Sequence, residues 1–463
     1  MNFILTVSSM IFPLITFPYA SRVLLAEGTG KVAFAASVAN YFTMLASLGI
    51  PTYGIRECAK VKENREALSK LVQEILVINL VATVITVALY LLSITFIPRL
   101  QQDKILFLIE GINIVLNLFG VNWLYQALEQ YDYITIRSVA FKVISVILMF
   151  CMVKTPSEYL SYAFVSVFAL AGSNILNFLR MHRYIDLKRR SHLEFKKHLK
   201  PIFTLFAQNV TTSIYTNLDV VMLGIMKDDA IVGYYNAAVK IKVLLVTIVT
   251  SLGNVLLPRM SYYVKKGAHE AFEIVMEKSL SLTFILSIFL CGFFTFTAPE
   301  CIFLLAGKDF LPAISAMRIV MLSMIPIGLT GIIGVQILTP LNKENYVLYS
   351  VMIGAVSDFV LNLFLIPMYG AAGAAFATMI AEFLVLIAQL RLGWNIIRNA
   401  MKKTRYILYI FATLMAQAAC MSMKTLLSEN IHVFIRLVLF GLVYTIVFFL
   451  VLLIGKDTVL KAF

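Results

Sequence analysis

RMHRYIDLKRRSHLEFKKHLK, residues 180–200, is the longest strongly polar run in an otherwise mostly apolar chain. It carries eight Lys/Arg against two acids, Asp186 and Glu194. Next to hydrophobic segments, such a block is retained on the cytoplasmic side of a membrane. Working outward from it in both directions, apolar runs of about 20 residues recur, the length that crosses a hydrocarbon core of about 30 Å. The 463 residues are 60% hydrophobic and 14% charged, with a mean hydropathy of +0.88. Soluble domains run about 45–50% apolar and about 25% charged, so the chain reads as a polytopic membrane protein.

The expected fold is all-α, with about fourteen transmembrane helices at 2–22, 32–54, 72–97, 104–125, 135–153, 157–179, 201–224, 232–257, 280–304, 312–339, 346–366, 372–394, 406–424 and 434–454. A barrel is excluded, because its strands would alternate with period two over about ten residues. With the N-terminus inside, 25 Lys/Arg fall in inner connections and 9 in outer ones. That bias puts both termini in the cytoplasm. It also explains the net charge of +14 without nucleic acid, since the excess lies in short loops. The N-terminus lacks a basic n-region and its apolar run continues past Pro13 to about Tyr19, so it reads as a first helix rather than a cleaved signal. The five cysteines are scattered, with no C-x-x-C pair, and indicate neither zinc nor a disulfide framework.

The 180–200 stretch divides the chain into an N-terminal six-helix lobe (1–179), a basic cytoplasmic linker (180–200), a C-terminal six-helix lobe (201–400) and two additional helices (401–463). The halves carry a short repeat. Gly30, Ser47-Leu48-Gly49 and Arg56 in the second helix correspond to Gly233, Ser251-Leu252-Gly253 and Arg259 in the eighth. An even number of helices per half makes this a parallel repeat about an axis along the membrane normal, with a central cavity expected.

No catalytic motif, cofactor loop or metal-ligand cluster is legible, so the chain is not read as an enzyme. Gly28-Thr29-Gly30-Lys31 lacks the Ser/Thr and first glycine of a phosphate loop, and is expected in a short outer loop. The informative residues are polar ones inside helices, where an ionisable group at mid-membrane costs about 2.5–3.5 kcal/mol. Glu110, Asn113 and Asn117 share one helical face, as do Asn209, Thr212, Ser213 and Thr216. Ser350, Gly354, Asp358 and Asn362 follow steps of four. Such stripes either bond neighbouring helices, for about 0.6–2 kcal/mol each, or line a hydrated cavity. Lys142, Lys240 and Arg318 are the cations hardest to accommodate as helix contacts, while Asp219, Asp358 and Glu382 are the candidate ion-coupling carboxylates. The run Gly370-Ala371-Ala372-Gly373-Ala374-Ala375 permits close helix approach.

Several local patterns combine in order: YASRVL at 19–24 with Gly28 and Gly30 after it, GIPTYGIRECAK at 49–60, NWLYQALEQYDYITIRS at 122–138, LDVVMLG at 218–224, VGYYNAAVKI at 232–241, and IPMYGAAGAAFATMIAE at 366–382. Over about residues 1–400 the set resembles the polysaccharide (O-antigen/capsule repeat-unit) flippases of the multidrug/oligosaccharidyl-lipid/polysaccharide exporter superfamily. The resemblance implies a bacterial inner-membrane protein that moves an undecaprenyl-pyrophosphate-linked oligosaccharide between leaflets by alternating access. Its partners would be that lipid-linked substrate, membrane lipids, a proton or sodium ion, and the polysaccharide polymerase and glycosyltransferases. On this reading Lys142, Lys240 and Arg318 meet the pyrophosphate or acidic sugars, and Asn113, Asn117, Asn209, Thr212 and Thr216 hydrate the glycan. A cation-coupled multidrug exporter and a lipid II flippase of the same superfamily are the alternatives.

Overall fold

The computed structural model describes residues 2–186, 193–427 and 431–457, of which the side chains of 2–7, 9–10, 208–216, 252 and 254–255 lie outside the description. Backbone polar groups in hydrocarbon must be bonded within their own segment, and every regular element among the described residues is helical. In the first part of the chain these are α1 (Asn2–Ser47), α2 (Ile50–Lys60), α3 (Arg65–Phe96), α4 (Pro98–Gln101), α5 (Lys104–Leu118), α6 (Asn122–Ala127), α7 (Tyr131–Met152), α8 (Tyr159–Val167), α9 (Asn174–Met181) and α10 (Lys196–Met226). There follow α11 (Asp229–Lys266), α12 (His269–Phe296), α13 (Ala298–Ala306), α14 (Ala313–Leu322), α15 (Met324–Thr330), α16 (Glu344–Lys403), α17 (Tyr406–Leu426) and α18 (Val433–Ile454).

Among the described residues eleven helical stretches are long and apolar enough to cross a membrane. Two of them hold two crossings each. At about 1.5 Å per residue, α1 would reach about 69 Å and α16 about 90 Å, two to three times a hydrocarbon core. Both are broken, at Leu25 (φ 59°) and Gly370 (φ 55°). Past Gly370 the chain doubles back so tightly that a Cβ on Gly373 would stand 2.1 Å from the Leu365 carbonyl oxygen. Counting both arms of each broken helix and adding α10 gives fourteen crossings, in line with the sequence reading.

The boundaries differ in several places. The outer loop expected around Gly28–Lys31 is helical, with Lys31 paired to Glu27 one turn earlier at 2.9 Å. The fourth predicted helix stops at Leu118 and restarts at Asn122, because Val121 adopts φ 34°. The tenth is pieced together from α14, α15 and a π-helical run, Gly331–Leu338.

The chain forms two compact units, Met1–Gly233 and Tyr234–Phe463. The first takes in α10 as well as residues 1–179. α10 packs on α1 and α2, closely enough that a Cβ on Gly49 would meet the Ile202 carbonyl at 2.3 Å. The basic stretch is docked at both described ends onto α3. The Asp186 N–H donates to Ser69 Oγ at 3.0 Å and Gln73 Nε2 donates to the Asp186 carbonyl at 2.6 Å. On the far side the Glu194 N–H donates to Glu74 Oε1 at 2.8 Å. Lys197 holds the exposed Glu194 carboxyl below its ordinary pKa. Residues 187–192, with Lys188, Arg189 and Arg190, lie outside the described residues.

The second dock has a buried centre. His198 is hydrogen-bonded on both ring edges, by Tyr53 Oη at 2.6 Å from Nδ1 and by Glu74 Oε2 at 2.7 Å from Nε2. Lys197 Nζ reaches the same carboxylate oxygen at 3.1 Å. Removing the acceptor leaves several donors unmatched, and a buried group stripped of its partner costs about 1–3 kcal/mol, more when charged. Glu74→Ala is therefore expected to destabilise the protein by about 3 kcal/mol, seen as a lower Tm in detergent. A Tm equal to wild type would show that the dock contributes nothing to the fold.

In the second unit the core runs through α12, α15, the π-helical segment, α16, α17 and α18. Phe289 sits against both Tyr444 and Phe448, which are fully buried. The last two helices are thus built into this core, and Tyr409 Oη donates to Asp457 Oδ2 at 2.8 Å to close their ends. Their outer faces stay apolar and exposed, at Leu414, Leu442, Ile446 and Leu453 among others, as lipid contact requires.

Candidate functional site

Within the first unit a polar seam runs between α3 and α5. Asn79, Thr83 and Thr86 stand at i, i+4 and i+7 on α3, so they share one face, and all are buried. On α5 Glu110 and Asn113 are buried and Asn117 is half-buried. The two helices pack antiparallel. Tyr90 Oη donates to the Phe107 carbonyl at 2.7 Å near one end, and Asn79 and Asn117 line a common cavity near the other. Asn79 Oδ1, Thr83 Oγ1 and Glu110 Oε1 are buried without a hydrogen-bond partner among the described residues. Buried polar groups are normally matched, so three orphans on one seam make it a candidate place for a polar ligand or water.

The cavity, of about 150 Å³, lies where two helices break. Leu48 (φ 49°) separates α1 from α2, and Val121 (φ 34°) separates α5 from α6. Non-glycine residues with positive φ are uncommon, and β-branched ones are outliers. The second break is clamped from α7 and α9. Arg137 Nη1 donates to the Ser173 carbonyl at 2.9 Å, and Nη2 donates to Asn122 Oδ1 at 3.0 Å. Asn177 Nδ2 donates to the same Asn122 oxygen at 2.9 Å and to the Gly120 carbonyl. Trp123 rests on Gly54 of α2, where a Cβ would come within 2.6 Å of the indole. On the first break, Asn117 Nδ2 donates to Ser47 Oγ at 2.6 Å.

The other sequence-selected residues are dispersed. In the first unit Lys142 is half-buried and donates to Ser8 Oγ at 3.3 Å, and Asp219 is buried. The side chains of Asn209, Thr212 and Thr216 lie outside the described residues. In the second unit Lys240 is half-buried and Arg318 is exposed. Ser350, Gly354, Asp358 and Asn362 form a buried stripe on α16, with Asn362 Nδ2 donating to Asp358 Oδ2 at 3.2 Å. Glu382 is buried one turn beyond Thr378, whose hydroxyl is 3.0 Å from that of Tyr235. Of the proposed glycan-contacting residues whose side chains are described, Asn113 and Asn117 both lie on the seam. Asn79, Asn122, Trp123, Arg137 and Asn177 were not selected from sequence. The one available signal was that Asn122, Trp123 and Arg137 belong to the ordered motif at 122–138. Among the described residues no cluster of three metal-ligating side chains occurs.

A family model described as polysaccharide biosynthesis protein matches residues 1–264, more than half of the chain. A Shigella dysenteriae protein provisionally named O-antigen transporter is 22% identical over 386 residues, covering 83% of this chain and 96% of that protein. Its Escherichia coli K12 counterpart of the same name is 23% identical, covering 82% and 91%. Among solved structures, the lipid II flippase MurJ in an inward closed conformation superposes with a TM-score of 0.76 at 15% identity, covering 98% of this chain and 99% of that one. An inward-facing multidrug transporter of the MATE family gives 0.61 at 11% identity, covering 85% and 99%. These two likenesses establish the fold.

Proposed function

Because this chain belongs to the polysaccharide biosynthesis protein family, we propose that it flips undecaprenyl-pyrophosphate-linked oligosaccharide repeat units from the inner to the outer leaflet of the bacterial cytoplasmic membrane. It is a transporter, not a catalyst. The observation that carries the reading is the buried seam of unpartnered polar groups, Asn79, Thr83 and Glu110, inside helices whose other faces are apolar. A glycan head needs polar partners at membrane depth, while its lipid tail needs only hydrocarbon.

The mechanism is alternating access of the two lobes, 1–179 and 201–400, with both termini cytoplasmic. Lys142 in the first unit, and Lys240 and Arg318 in the second, are the candidate cations for pyrophosphate or acidic sugars. Asn113, Asn117, Asn209, Thr212 and Thr216 are the candidate glycan contacts. Moving an anion out of a negative-inside cell is favourable by about 2.3 kcal/mol per charge per 100 mV. Membrane potential and consumption by a polymerase can therefore drive the flow without ATP, with Asp219, Asp358 and Glu382 as the candidate carboxylates for coupling a proton or sodium ion.

A strain lacking the chain is expected to lose surface polysaccharide and to accumulate lipid-linked oligosaccharide, detectable by mass spectrometry of extracted lipid. Lys240→Met and Arg318→Met proteins should insert normally and give the same defect. Unaltered surface glycan in the null strain, with drug susceptibility raised instead, would favour the exporter reading. Normal glycan from both variants would remove these two cations from the proposed site.

A further inference from the structure

We propose that the cavity at the two helix breaks is a subsite for one neutral pyranose ring. Four features converge on that ligand class. First, the lining contains no ionisable side chain: its polar members are Ser47, Asn79, Asn117, Asn122 and Gln126. Those side chains put no cation beside a pyrophosphate; the only group there with any anion affinity is the N-terminus of α2 at Ile50. Carboxamides instead carry both donors and acceptors, as do the hydroxyl and acetamido groups of a sugar. Second, Trp123 lines the same space and supplies the apolar surface that a ligand site combines with a few placed polar groups. Its indole is seated by Gly54, so the ring position is fixed before a ligand arrives.

Third, a volume of about 150 Å³, the size of an engineered cavity that takes benzene, limits the occupant to no more than one sugar ring entering from the open rim. A whole repeat unit would not fit, so the site reads one residue of the glycan. Fourth, Asn79 is 4% exposed and its Oδ1 has no partner among the described residues. Meanwhile Leu48 and Val121 hold left-handed backbone on the two sides of the space. Strain and an orphan acceptor around one cavity are the features by which function is inferred from structure. Pro51 on the rim is exposed, so the cavity reaches the surface of its unit.

The purpose of the subsite rests on the flippase reading, but binding can be measured without transport. The chain has two tryptophans, so Trp394→Phe in the full-length protein leaves Trp123 as the sole reporter. In detergent micelles its emission is titrated with a panel of methyl pyranosides and N-acetylhexosamines, and separately with inorganic pyrophosphate. The subsite requires a saturable change with at least one neutral sugar and none with pyrophosphate. Adding Asn79→Leu should weaken that response about tenfold, the effect of one lost hydrogen bond. Because Oδ1 bonds nothing among the described residues, the same substitution should leave Tm at or above its starting value, whereas a merely structural Asn would lower it. Silence across the sugar panel, an equal response to pyrophosphate, or an Asn79→Leu response like the parent's overturns the subsite. Sugar binding by a protein that moves no lipid-linked glycan in vesicles would count against the flippase and leave the subsite standing. Transport with Trp123 silent would do the reverse.

Discussion

Gly30→Val is expected to abolish recovery of folded protein. A Cβ at Gly30 would stand 1.8 Å from the Asp229 carbonyl oxygen and 2.8 Å from the Gly233 nitrogen. The contact is reciprocal: a Cβ on Gly233 would meet the Ala26 carbonyl oxygen at 2.1 Å. Backbone cannot swing aside as a side-chain tip can. Overpacking ordinarily costs about 1–3 kcal/mol, and a backbone-to-backbone clash lies beyond that range, against a total stability of about 5–15 kcal/mol. The expected readout is loss of the monodisperse peak in size-exclusion chromatography. Gly441→Ala is the control. Its Cβ would find only Phe293 at 3.7 Å, an ordinary contact, and helix propensity favours Ala by about 1 kcal/mol. A monodisperse Gly30→Val protein with wild-type Tm would mean that α1 and α11 do not cross there.

Arg137→Met is expected to cost about 3–4 kcal/mol of stability, and with it flipping activity. The guanidinium is buried and bonds the Ser173 carbonyl and Asn122 Oδ1. Asn122 also receives Asn177, which in turn holds Gly120. One side chain thus fixes the break at Val121 from two other helices. Arg137→Lys should recover only part of the loss, because a single ammonium on a flexible stem does not reproduce two diverging N–H groups. Thermal melts of the three proteins, alongside surface glycan in complemented cells, would check this. Equal Tm for Arg137→Met and wild type would leave the break without its clamp.

Periodicity and hydropathy made the helices legible, since apolar length is what a bilayer selects for. Gly30 and Gly233 were legible as repeat partners, but not as neighbours of each other. The breaks were only half legible: Gly49, Pro51 and Gly120 beside them are turn signals, but the left-handed positions themselves are Leu48 and Val121, whose sterics disfavour that backbone. The counterpart of the Leu48 break in the repeat, Ser251-Leu252-Gly253, lies inside a continuous helix. Asn79 was masked by its setting, because α3 is apolar enough that one Asn and two Thr barely dent its hydropathy. Arg137, at the start of the helix expected over 135–153, reads as one of the 25 inner Lys/Arg, and only packing reveals it as buried. Arg318, selected as a cation hard to accommodate, is exposed on its unit, since a short helix turns it outward. Asn113 and Asn117, chosen for sharing a face, do share one.

The most direct test of lipid-linked glycan flipping is a reconstituted one. Purified protein goes into liposomes carrying an undecaprenyl-pyrophosphate-linked oligosaccharide, and an impermeant glycan-modifying enzyme reports which leaflet holds the head group. With the protein present, the fraction of head groups open to the enzyme should rise past the outer-leaflet share toward completion, and it should rise more slowly with Lys240→Met. A modified fraction that stays at the outer-leaflet share, equal to protein-free liposomes and unmoved by an imposed potential or by a proton or sodium gradient, would contradict the proposed function.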